Sequence, residues 1–310
     1  MVPDAHPEKR QETALTYIFH SGFMLEQTEQ KSVLSTNENA DAPEGRNEKV
    51  RCGGYALIFD YWHDPAGAVS RSLRVKAWKQ VYVFSSHFHE DHFNREIFRW
   101  RDLYPNTTFT YILSKDIMKH RRASKDEADV WLAKGATWKD ENIAVRATGS
   151  NDSGVSWIVE TGGMRIFHAG DLCNWYARFL TGDIPEQEIY SEEFGKFINP
   201  VADEKRFLGE LKDIKKVTDT FDLAMFPVDG RIGNGYTLGG RQFIQRFKVG
   251  LFVPMHFALS GFESAQRMDT FCREKGVDFW PIRQEGECII LLKKHHCNHL
   301  HDVQYAPASR

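Results

Sequence analysis

The sequence predicts an α+β fold, and three observations lead to this prediction. Short apolar runs rich in β-branched and aromatic side chains recur along the chain, as expected of buried strands. Stretches of good helix formers separate them, which indicates a strand, helix, strand order in each half. Several of the apolar runs end directly in histidine or aspartate, so the strand ends are the place to look for a site.

The first part of the chain predicts strands over residues 15–26 and 55–61. The polar segment 36–49 between them is rich in Asn, Asp, Glu and Gly and predicts an exposed loop that interrupts a hairpin. Residues 81–84 are apolar throughout and predict a buried strand, with a helix over 94–100 shortly after it. The loop between that strand and that helix therefore lies at a strand end.

Three further helices are predicted from composition and end signals. Residues 115–134 carry good helix formers, and Gly135 is a plausible stop. Residues 203–219 are strongly charged and indicate a surface helix. Residues 260–263 resemble a capping box, which predicts a helix ending near Gly276. These helices would cover the faces of the sheet.

The second half predicts its own strands. Residues 155–160 and 164–168 are apolar, and Thr161, Gly162 and Gly163 join them as a tight hairpin in which glycine permits positive φ. The other predicted strands of this half are 143–149, 223–226 and 251–256. The chain thus divides into a flexible N-terminus at 1–14, one domain at 15–294 and a histidine-rich flexible tail at 295–310.

The strongest functional signal is a cluster of metal-binding side chains directly after the strand at 81–84. His87, His89, Asp91 and His92 fall within six residues. Imidazole nitrogen and carboxylate oxygen suit a dication such as zinc. His87 and His89 leave an extended segment on the same side and can share one ion, whereas Asp91 and His92 would point elsewhere and hold a second. The pattern indicates a two-metal site.

The motif His-x-His-x-Asp-His at 87–92 resembles the signature of the metallo-β-lactamase superfamily of hydrolases. Other parts recur in the same order: a strand ending in Asp60, a strand leading to Asp171 and a strand ending in His256. The resemblance covers nearly the whole chain. It implies a four-layer αββα sandwich with the metals at one edge.

The resemblance also implies the roles of individual residues. Asp171 would bridge two ions, Asp60 would support the ligands from behind, and Asp91 would orient the attacking water and accept its proton. The ions, zinc in the first instance, lower the pKa of water to about 7. The implied ligands are His87, His89, Asp91, His92, Asp171 and His256.

One position departs from the superfamily pattern. Ser150 follows the strand at 143–149, where a third histidine ligand of the first metal is usual, and serine is a poor zinc ligand. Asp152 or His20 are the two candidates to replace it, and the sequence leaves both open. Because of this change, the sequence leaves open whether the site holds one ion or two. It also leaves open whether the metal is zinc or one that prefers oxygen ligands, such as Mn²⁺ or Fe²⁺.

Several other residues have a functional and a structural interpretation. Arg231, in a glycine-bearing loop, is a candidate contact for an anionic substrate, or a solvated loop arginine. Trp175 and Phe179 lie in the irregular segment 172–222 and either line a substrate pocket or pack in the core. Cys173 is interpreted as a small buried residue rather than a zinc ligand, and His168 as a structural histidine.

Composition favours a cytoplasmic enzyme with a small-molecule substrate. Forty basic and forty-three acidic residues give a formal charge of −3, which argues against a surface built for nucleic acid. No run approaches the roughly 18 apolar residues of a membrane span, and the first residues lack the apolar core of a signal peptide. The five cysteines show no disulfide framework or zinc-ribbon spacing. The sequence does not determine the oligomeric state.

We therefore expect a metal-dependent hydrolase of a small ester, lactone or phosphoester. The motif together with Pro-Met-His-Phe at 254–257 resembles the lactonase and phosphodiesterase-like branches of the superfamily. One alternative is a metal-dependent nuclease or phosphodiesterase. A second alternative is a non-catalytic metal-binding or scaffold protein, which Ser150 makes conceivable because the first metal site would be degenerate.

Overall fold

Two seven-stranded β-sheets dominate the computed structural model, which describes residues 11–29, 53–180, 189–191 and 195–291. The strands are β1 Gln11–Phe19, β2 Gly22–Glu29, β3 Gly53–Phe59, β4 Gln80–Ser85, β5 Thr108–Ser114, β6 Val130–Leu132, β7 Thr137–Lys139, β8 Ile143–Gly149, β9 Val155–Thr161, β10 Met164–His168, β11 Ile189–Ser191, β12 Lys196–Ile198, β13 Thr220–Pro227, β14 Lys248–Met255, β15 Asp278–Phe279 and β16 Cys288–Leu291. The helices are α1 Ala68–Val75, α2 Trp100–Leu103, α3 Lys115–Lys119, α4 Pro200–Lys215, α5 Leu238–Ile244, α6 Phe262–Ala265 and α7 Asp269–Glu274.

The order of the strands determines which strand ends meet. The first sheet runs β16, β1, β2, β3, β4, β5, β6, and the second runs β15, β14, β13, β10, β9, β8, β7. Strands β3, β4, β5 and β6 pair in parallel, as do β10, β13, β14 and β15. The carboxyl ends of each parallel set therefore lie at one edge of its sheet, which is where loops can converge.

The core between the sheets follows from alternation along each strand. In β3, Leu57 and Phe59 belong to the main core cluster, whereas Ala56 and Ile58 pack in a second cluster on the outer face. The ring of Phe84 from the first sheet lies 5.7 Å from that of Trp157 in the second. Each such fully buried side chain contributes about 1.5–3 kcal/mol from apolar burial, so this layer holds the two sheets together.

Helices cover the outer face of both sheets. Val69 and Leu73 of α1 and Trp100 of α2 pack in the outer cluster of the first sheet. On the second sheet the ring of Phe243 in α5 stacks on Phe167 at 5.1 Å, and Phe207 of α4 joins the same core. The predicted four-layer αββα sandwich is confirmed.

Several predicted boundaries were wrong for local reasons. The single strand expected over 15–26 is two strands, β1 and β2, because His20 has a φ of 55° and reverses the chain. β1 already begins at Gln11, before the expected start of the domain. The polar segment 36–49 and the tail 295–310 lie outside the described residues.

The helix predicted over 115–134 was also wrong. α3 ends at Lys119, and Arg121 takes a φ of 57°, which no helix continues through. Val130 then pairs with Ile112, so that β6 extends the first sheet. Tertiary pairing thus overrides the helix propensity of this segment.

The remaining helices differ in their ends. A 3-10 turn at Arg95–Arg99 precedes α2 where a helix was expected over 94–100. α4 begins at Pro200 because the side chain of Asn199 accepts a hydrogen bond from the amide of Ala202. The expected helix up to Gly276 is broken into α6 and α7 by a 3-10 turn at Gln266–Met268.

Within the described residues, no helix has the length and apolar character to cross a membrane.

Candidate metal centre

The candidate site lies at the edge where strand ends from both sheets meet. β3 ends before Asp60, β4 before the turn at 86–92, β10 before Asp171 and β14 before His256. The hairpin turn between β1 and β2 adds His20, whose carbonyl accepts a hydrogen bond of 2.9 Å from the amide of His256. The first strand of one sheet and the last ligand-bearing strand of the other are thereby joined at the site.

Backbone strain is concentrated here. Among the described residues, four that are not glycine have a positive φ, and three of them, His20 (55°), Asp60 (42°) and His256 (64°), belong to the site. This conformation is uncommon for residues with a side chain and persists only where the surrounding structure imposes it. The fold therefore holds these three residues in an unfavourable backbone conformation, and this conformation sets the direction of their side chains.

We define the first donor group as the cluster of His89, Asp152 and Asp171 together with the neighbouring His87, which contacts His89 and Asp171. Nε2 of His87 lies 3.0 Å from Nδ1 of His89 and 3.1 Å from Oδ2 of Asp171. A carboxylate oxygen of Asp152 lies within 4.8 Å of donor atoms of His89 and Asp171. Of the two replacements for the missing histidine, the structure brings Asp152 to this group. Ser150 instead interacts with the amide of Asp152 through its hydroxyl oxygen at 3.3 Å.

The second donor group is His20, Asp91, His92 and His256, whose donor atoms all lie within 4.8 Å of one another. Oδ2 of Asp91 lies 3.4 Å from Nε2 of His20 and 3.8 Å from Nε2 of both His92 and His256. His20 therefore joins this group and not the first. Asp91 is also grouped with His87 and His89, so its carboxylate stands between the two groups.

Asp171 connects the two donor groups. Its Oδ2 faces His87, whereas its Oδ1 lies 2.9 Å from Nε2 of His92 and 3.3 Å from Nε2 of His256. Ligand atoms held tetrahedrally at about 2.0–2.2 Å from one ion are roughly 3.3–3.6 Å apart, close to these separations.

Unsatisfied buried atoms show that the residues fit a cation. Nε2 of His92, both ring nitrogens of His20 and Oδ1 of Asp171 are buried and make no aligned hydrogen bond among the described residues, although Nε2 of His92 and Oδ1 of Asp171 lie only 2.9 Å apart. Burying such atoms without a partner costs about 1–3 kcal/mol each. A divalent cation is the partner that imidazole nitrogen and carboxylate oxygen accept together, so the donor set fits a metal.

The charges around the site support the same fit. Burial raises the pKa of a carboxyl group, but His92, His87 and His256 around Asp171 hold its pKa well below the usual value. Burial and the neighbouring His256 lower the pKa of His20 to about 4, so its imidazole is neutral, the form that binds metals. The pKa of Asp91 is also lowered, against the effect of burial, by His20, His92 and His256.

Two buried carboxylates orient the histidines of the second donor group. Oδ2 of Asp60 accepts from Nδ1 of His92 at 2.7 Å, and Oδ2 of Asp229 accepts from Nδ1 of His256 at 2.9 Å. When the imidazole is neutral, each bond keeps its proton on Nδ1 and leaves the lone pair of Nε2 to face the site. Ser86 holds Asp60 in turn through its amide at 2.7 Å and its hydroxyl at 2.6 Å.

Sequence reasoning missed Asp229. It follows β13, the neighbour of the strand that ends in His256, and a polar residue just after a buried parallel strand was the available signal. The candidate anion contact Arg231 forms its ion pair with this aspartate, at 2.6 Å from Nη2 to Oδ2. Its side chain remains 44% exposed, and Nη2 lies 3.4 Å from Nδ1 of His256.

The structure also shows the surroundings of three residues for which the sequence offered both a functional and a structural interpretation: Trp175, His168 and Cys173. The Trp175 ring packs on His256 at 5.0 Å between centroids, and its indole nitrogen donates to the carbonyl of Asp171. His168 is buried, donates from Nε2 to the carbonyl of Ser21 at 2.9 Å and stacks on Phe59. Cys173 is buried, and burial raises the pKa of its thiol well above the usual value.

The arrangement of sheets, layers and edge site identifies the fold. Two face-to-face sheets, each covered by helices, bring a His-x-His-x-Asp-His turn, Asp171 and His256 together at one edge. The chain has the metallo-β-lactamase fold.

No protein-family model matches the chain, and no curated protein matches it. Solved structures with a similar chain course include the metallo-β-lactamase fold protein YhfI from Bacillus subtilis, with 12% identity, coverage of 90% of this chain and 99% of that chain, and a TM-score of 0.48.

Two further structures are similar over most of their length. A possible metal-dependent hydrolase from Veillonella parvula has 12% identity, covers 91% of this chain and 99% of that chain, and has a TM-score of 0.47. The short form of human tRNase Z has 12% identity, coverage of 89% and 98%, and a TM-score of 0.38. The activities in these names belong to those proteins.

Proposed function

We propose that this protein is a metal-dependent hydrolase that cleaves a small ester, lactone or phosphoester with a metal-activated water. The observation that carries the proposal is the position of Asp171 between the two donor groups, with Oδ2 3.1 Å from His87 and Oδ1 2.9 Å from His92. A carboxylate shared in this way suits two divalent cations held close together.

The ligands proposed for the two cations follow from the donor groups. The first cation would take His87, His89, Asp152 and Asp171. The second would take Asp91, His92, His256 and Asp171, with His20 as an additional donor. Zinc suits both sets, and the two carboxylates of the first also suit Mn²⁺ or Fe²⁺.

Bound at these positions, divalent cations supply a water of lowered pKa and polarise the bond to be cleaved. Oδ2 of Asp91 lies among the histidines, and the side chain is 25% exposed, so this carboxylate can orient the attacking water and accept its proton. Asp60 and Asp229 keep the Nδ1 protons of His92 and His256 in place during this step. Asp91 is therefore the proposed catalytic residue.

Residues around the second donor group support a small substrate. The ring of Trp62 packs edge-on against His20 at 5.5 Å, and that of Trp175 packs against His256 at 5.0 Å. Two partly buried indoles thus border this side and offer apolar contact to a compact group. Arg231, beside His256, would add a cation for a substrate that carries an anionic group.

The first experiment measures metal content and activity together. Purified protein is expected to carry about one or two equivalents of zinc, manganese or iron, and to turn over an aryl ester, a lactone or an aryl phosphoester. Because Asp91 is also a proposed ligand, Asp91→Asn is assayed at saturating Zn²⁺, where it should lose about 10²–10⁴-fold in kcat. Glu90→Gln, at the adjacent exposed position, is the control and should keep wild-type activity.

The same experiment separates the alternatives. Cleavage confined to RNA, DNA or bis-aryl phosphodiesters would favour a nuclease or phosphodiesterase. Protein that takes up no metal and cleaves none of these substrates would contradict the proposal and favour a scaffold protein.

A further inference from the structure

We propose that Asn151 is a positioning residue that holds Asp152 in the first donor group, in place of the histidine that Ser150 replaces. This inference rests on the proposed function, because it assigns Asp152 to a metal. Asn151 itself belongs to neither donor group and acts through the shape of the loop between β8 and β9.

One end of this loop is attached to the turn that carries Asp171. Nδ2 of Asn151 donates to the carbonyl of Cys173 at 2.9 Å, and the amide of Cys173 donates back to Oδ1 of Asn151 at 3.1 Å. A side-chain amide paired in this way with one peptide group fixes both distance and orientation. Because Cys173 follows Asp171 by two residues, the pair joins the loop of one ligand to the turn of another.

The same side chain reaches the helix behind the site. Nδ2 of Asn151 lies 3.4 Å from Oδ2 of Asp203, a carboxylate of α4 that is only 3% exposed. Arg206 pairs with the other oxygen of Asp203 at 2.9 Å. The loop is thus connected to a long helix as well as to the neighbouring turn.

The other end of the loop is seated on the histidine turn. The amide of Val155 donates to the carbonyl of Ser86 at 3.1 Å. Gly154 has a φ of 63°, and a Cβ there would lie 2.1 Å from the oxygen of Ser86 and 2.5 Å from Cβ of His87. Only glycine allows this approach.

Asp152 lies between these two attachments. The loop spans from the turn of His87 to the turn of Asp171, which are the two turns whose side chains form the rest of the first donor group. Asp152 lies in the loop and not in a strand, so it depends on these attachments, because an unanchored loop would have to be ordered at the moment of metal binding.

The test compares zinc binding by the full-length chain and its variants. Each protein is stripped with a chelator and titrated with Zn²⁺ in competition with a chromophoric chelator. Asp152→Asn should weaken the binding of one equivalent of Zn²⁺, and this identifies the equivalent held by the first donor group. Asn151→Ala is expected to weaken that same equivalent about 10–100-fold, while leaving the other unchanged.

A double-mutant cycle separates positioning from general stability. If Asn151 acts through Asp152, the double variant should bind the first equivalent no more weakly than Asp152→Asn alone. Asn151→Asp, which has the same shape but cannot donate to Cys173, should behave like Asn151→Ala and covers the case in which the alanine variant does not fold. Asn142→Ala is the matched control, because Asn142 lies before the other end of β8 and bonds the hydroxyl of Tyr82.

The outcomes distinguish this inference from the proposed function. If wild-type protein binds two equivalents and Asn151→Ala and Asn151→Asp do so with wild-type affinity, the inference is overturned and the hydrolase proposal stands. If the losses of zinc affinity from the two substitutions add up in the double variant, the inference is also overturned, since Asn151 would then act independently of Asp152. Wild-type protein that binds no zinc, manganese or iron contradicts the proposed function itself.

Discussion

Oδ2 of Asp60 lies 2.7 Å from Nδ1 of His92, and both side chains are completely buried. The carboxylate also accepts two hydrogen bonds from Ser86, so its position is determined by the turn that carries the ligands. His92 is consequently fixed in one tautomer, with Nε2 directed towards Asp171. The strand end at Asp60 thus acts on the second donor group without entering it.

Asp60→Asn should weaken metal binding by the second donor group about 10–100-fold, because an amide can donate to Nδ1 of His92 and select the wrong tautomer. Competitive zinc titration measures the change. Asp64→Asn, which removes the carboxylate that accepts from the amide of Ala68 at the start of α1, is the control. Wild-type zinc affinity in Asp60→Asn would contradict the role assigned to the Asp60 to His92 bond.

Asp229→Asn should have a similar effect through His256. Oδ2 of Asp229 accepts from Nδ1 of His256, and the nearby Arg231 and His256 lower the pKa of this aspartate against the effect of burial, so it is ionised at pH 7. We expect a 10–100-fold loss of zinc affinity. Asp222→Asn is a matched control, because Asp222 lies on the same strand and bonds the amide of Arg165. An equal loss in both variants would point to a general effect on β13.

Arg231→Ala tests whether this arginine contacts substrate. Because its side chain is 44% exposed and its Nη2 lies beside His256, we expect KM to rise more for an anionic phosphoester than for a neutral lactone. Arg231→Lys should recover part of the difference, since it keeps the charge. Equal changes for both substrates, together with weaker zinc binding, would show that the arginine serves only to hold Asp229.

Cys173→Ala should bind as many equivalents of metal as the wild type. The thiol is buried, its Sγ lies 4.0 Å from the carbonyl of Pro227, and burial keeps it protonated at neutral pH. Among the described residues, the groups that could hold a metal ion do not include Cys173, so we expect this cysteine to bind none. Metal analysis after gel filtration checks the result, with Cys272→Ala as a second buried cysteine for comparison. Loss of one equivalent in Cys173→Ala alone would refute this assignment.

Metal binding should release protons at pH 7. In the metal-free protein, burial lowers the pKa of His256, but Asp171 and Asp229 raise it more, to about 8. The folded-state pKa lies above the usual 6.5, so His256 is mostly protonated at pH 7 and mostly neutral at pH 9. A metal must displace that proton. Calorimetric titration in buffers of different ionisation enthalpy should therefore show fewer protons released at pH 9 than at pH 7, and equal release at both would contradict the prediction.

The raised pKa of His256 also predicts how the stability of the metal-free protein depends on pH. Protonated His256 stabilises the fold below its unfolded pKa of 6.5, and this contribution is lost as pH rises through about 8. Metal binding should remove that dependence above pH 6.5, because a metal-bound His256 carries no proton to lose in this range. Urea unfolding between pH 6.5 and 9, with and without Zn²⁺, measures both effects.

Local patterns predicted the ligand turn and several of the strands that lead to the site. The apolar run at 81–84 and the hairpin around Gly162 depend on neighbours in sequence, and both form as expected. The helix over 115–134 failed because Val130 pairs with Ile112, a partner that no local pattern reveals. Edge strands of this kind depend on the sheet that they join.

By itself the sequence determined that His87, His89, Asp91 and His92 share one turn, and that Asp171 and His256 each follow a buried strand. Only the tertiary structure decided that Asp152 joins the first donor group and His20 the second, and that Asp229 supports His256. The physical reason is that spacing along the chain restricts only side chains within one turn or strand. Which loops meet at the edge depends on the order of strands in two packed sheets.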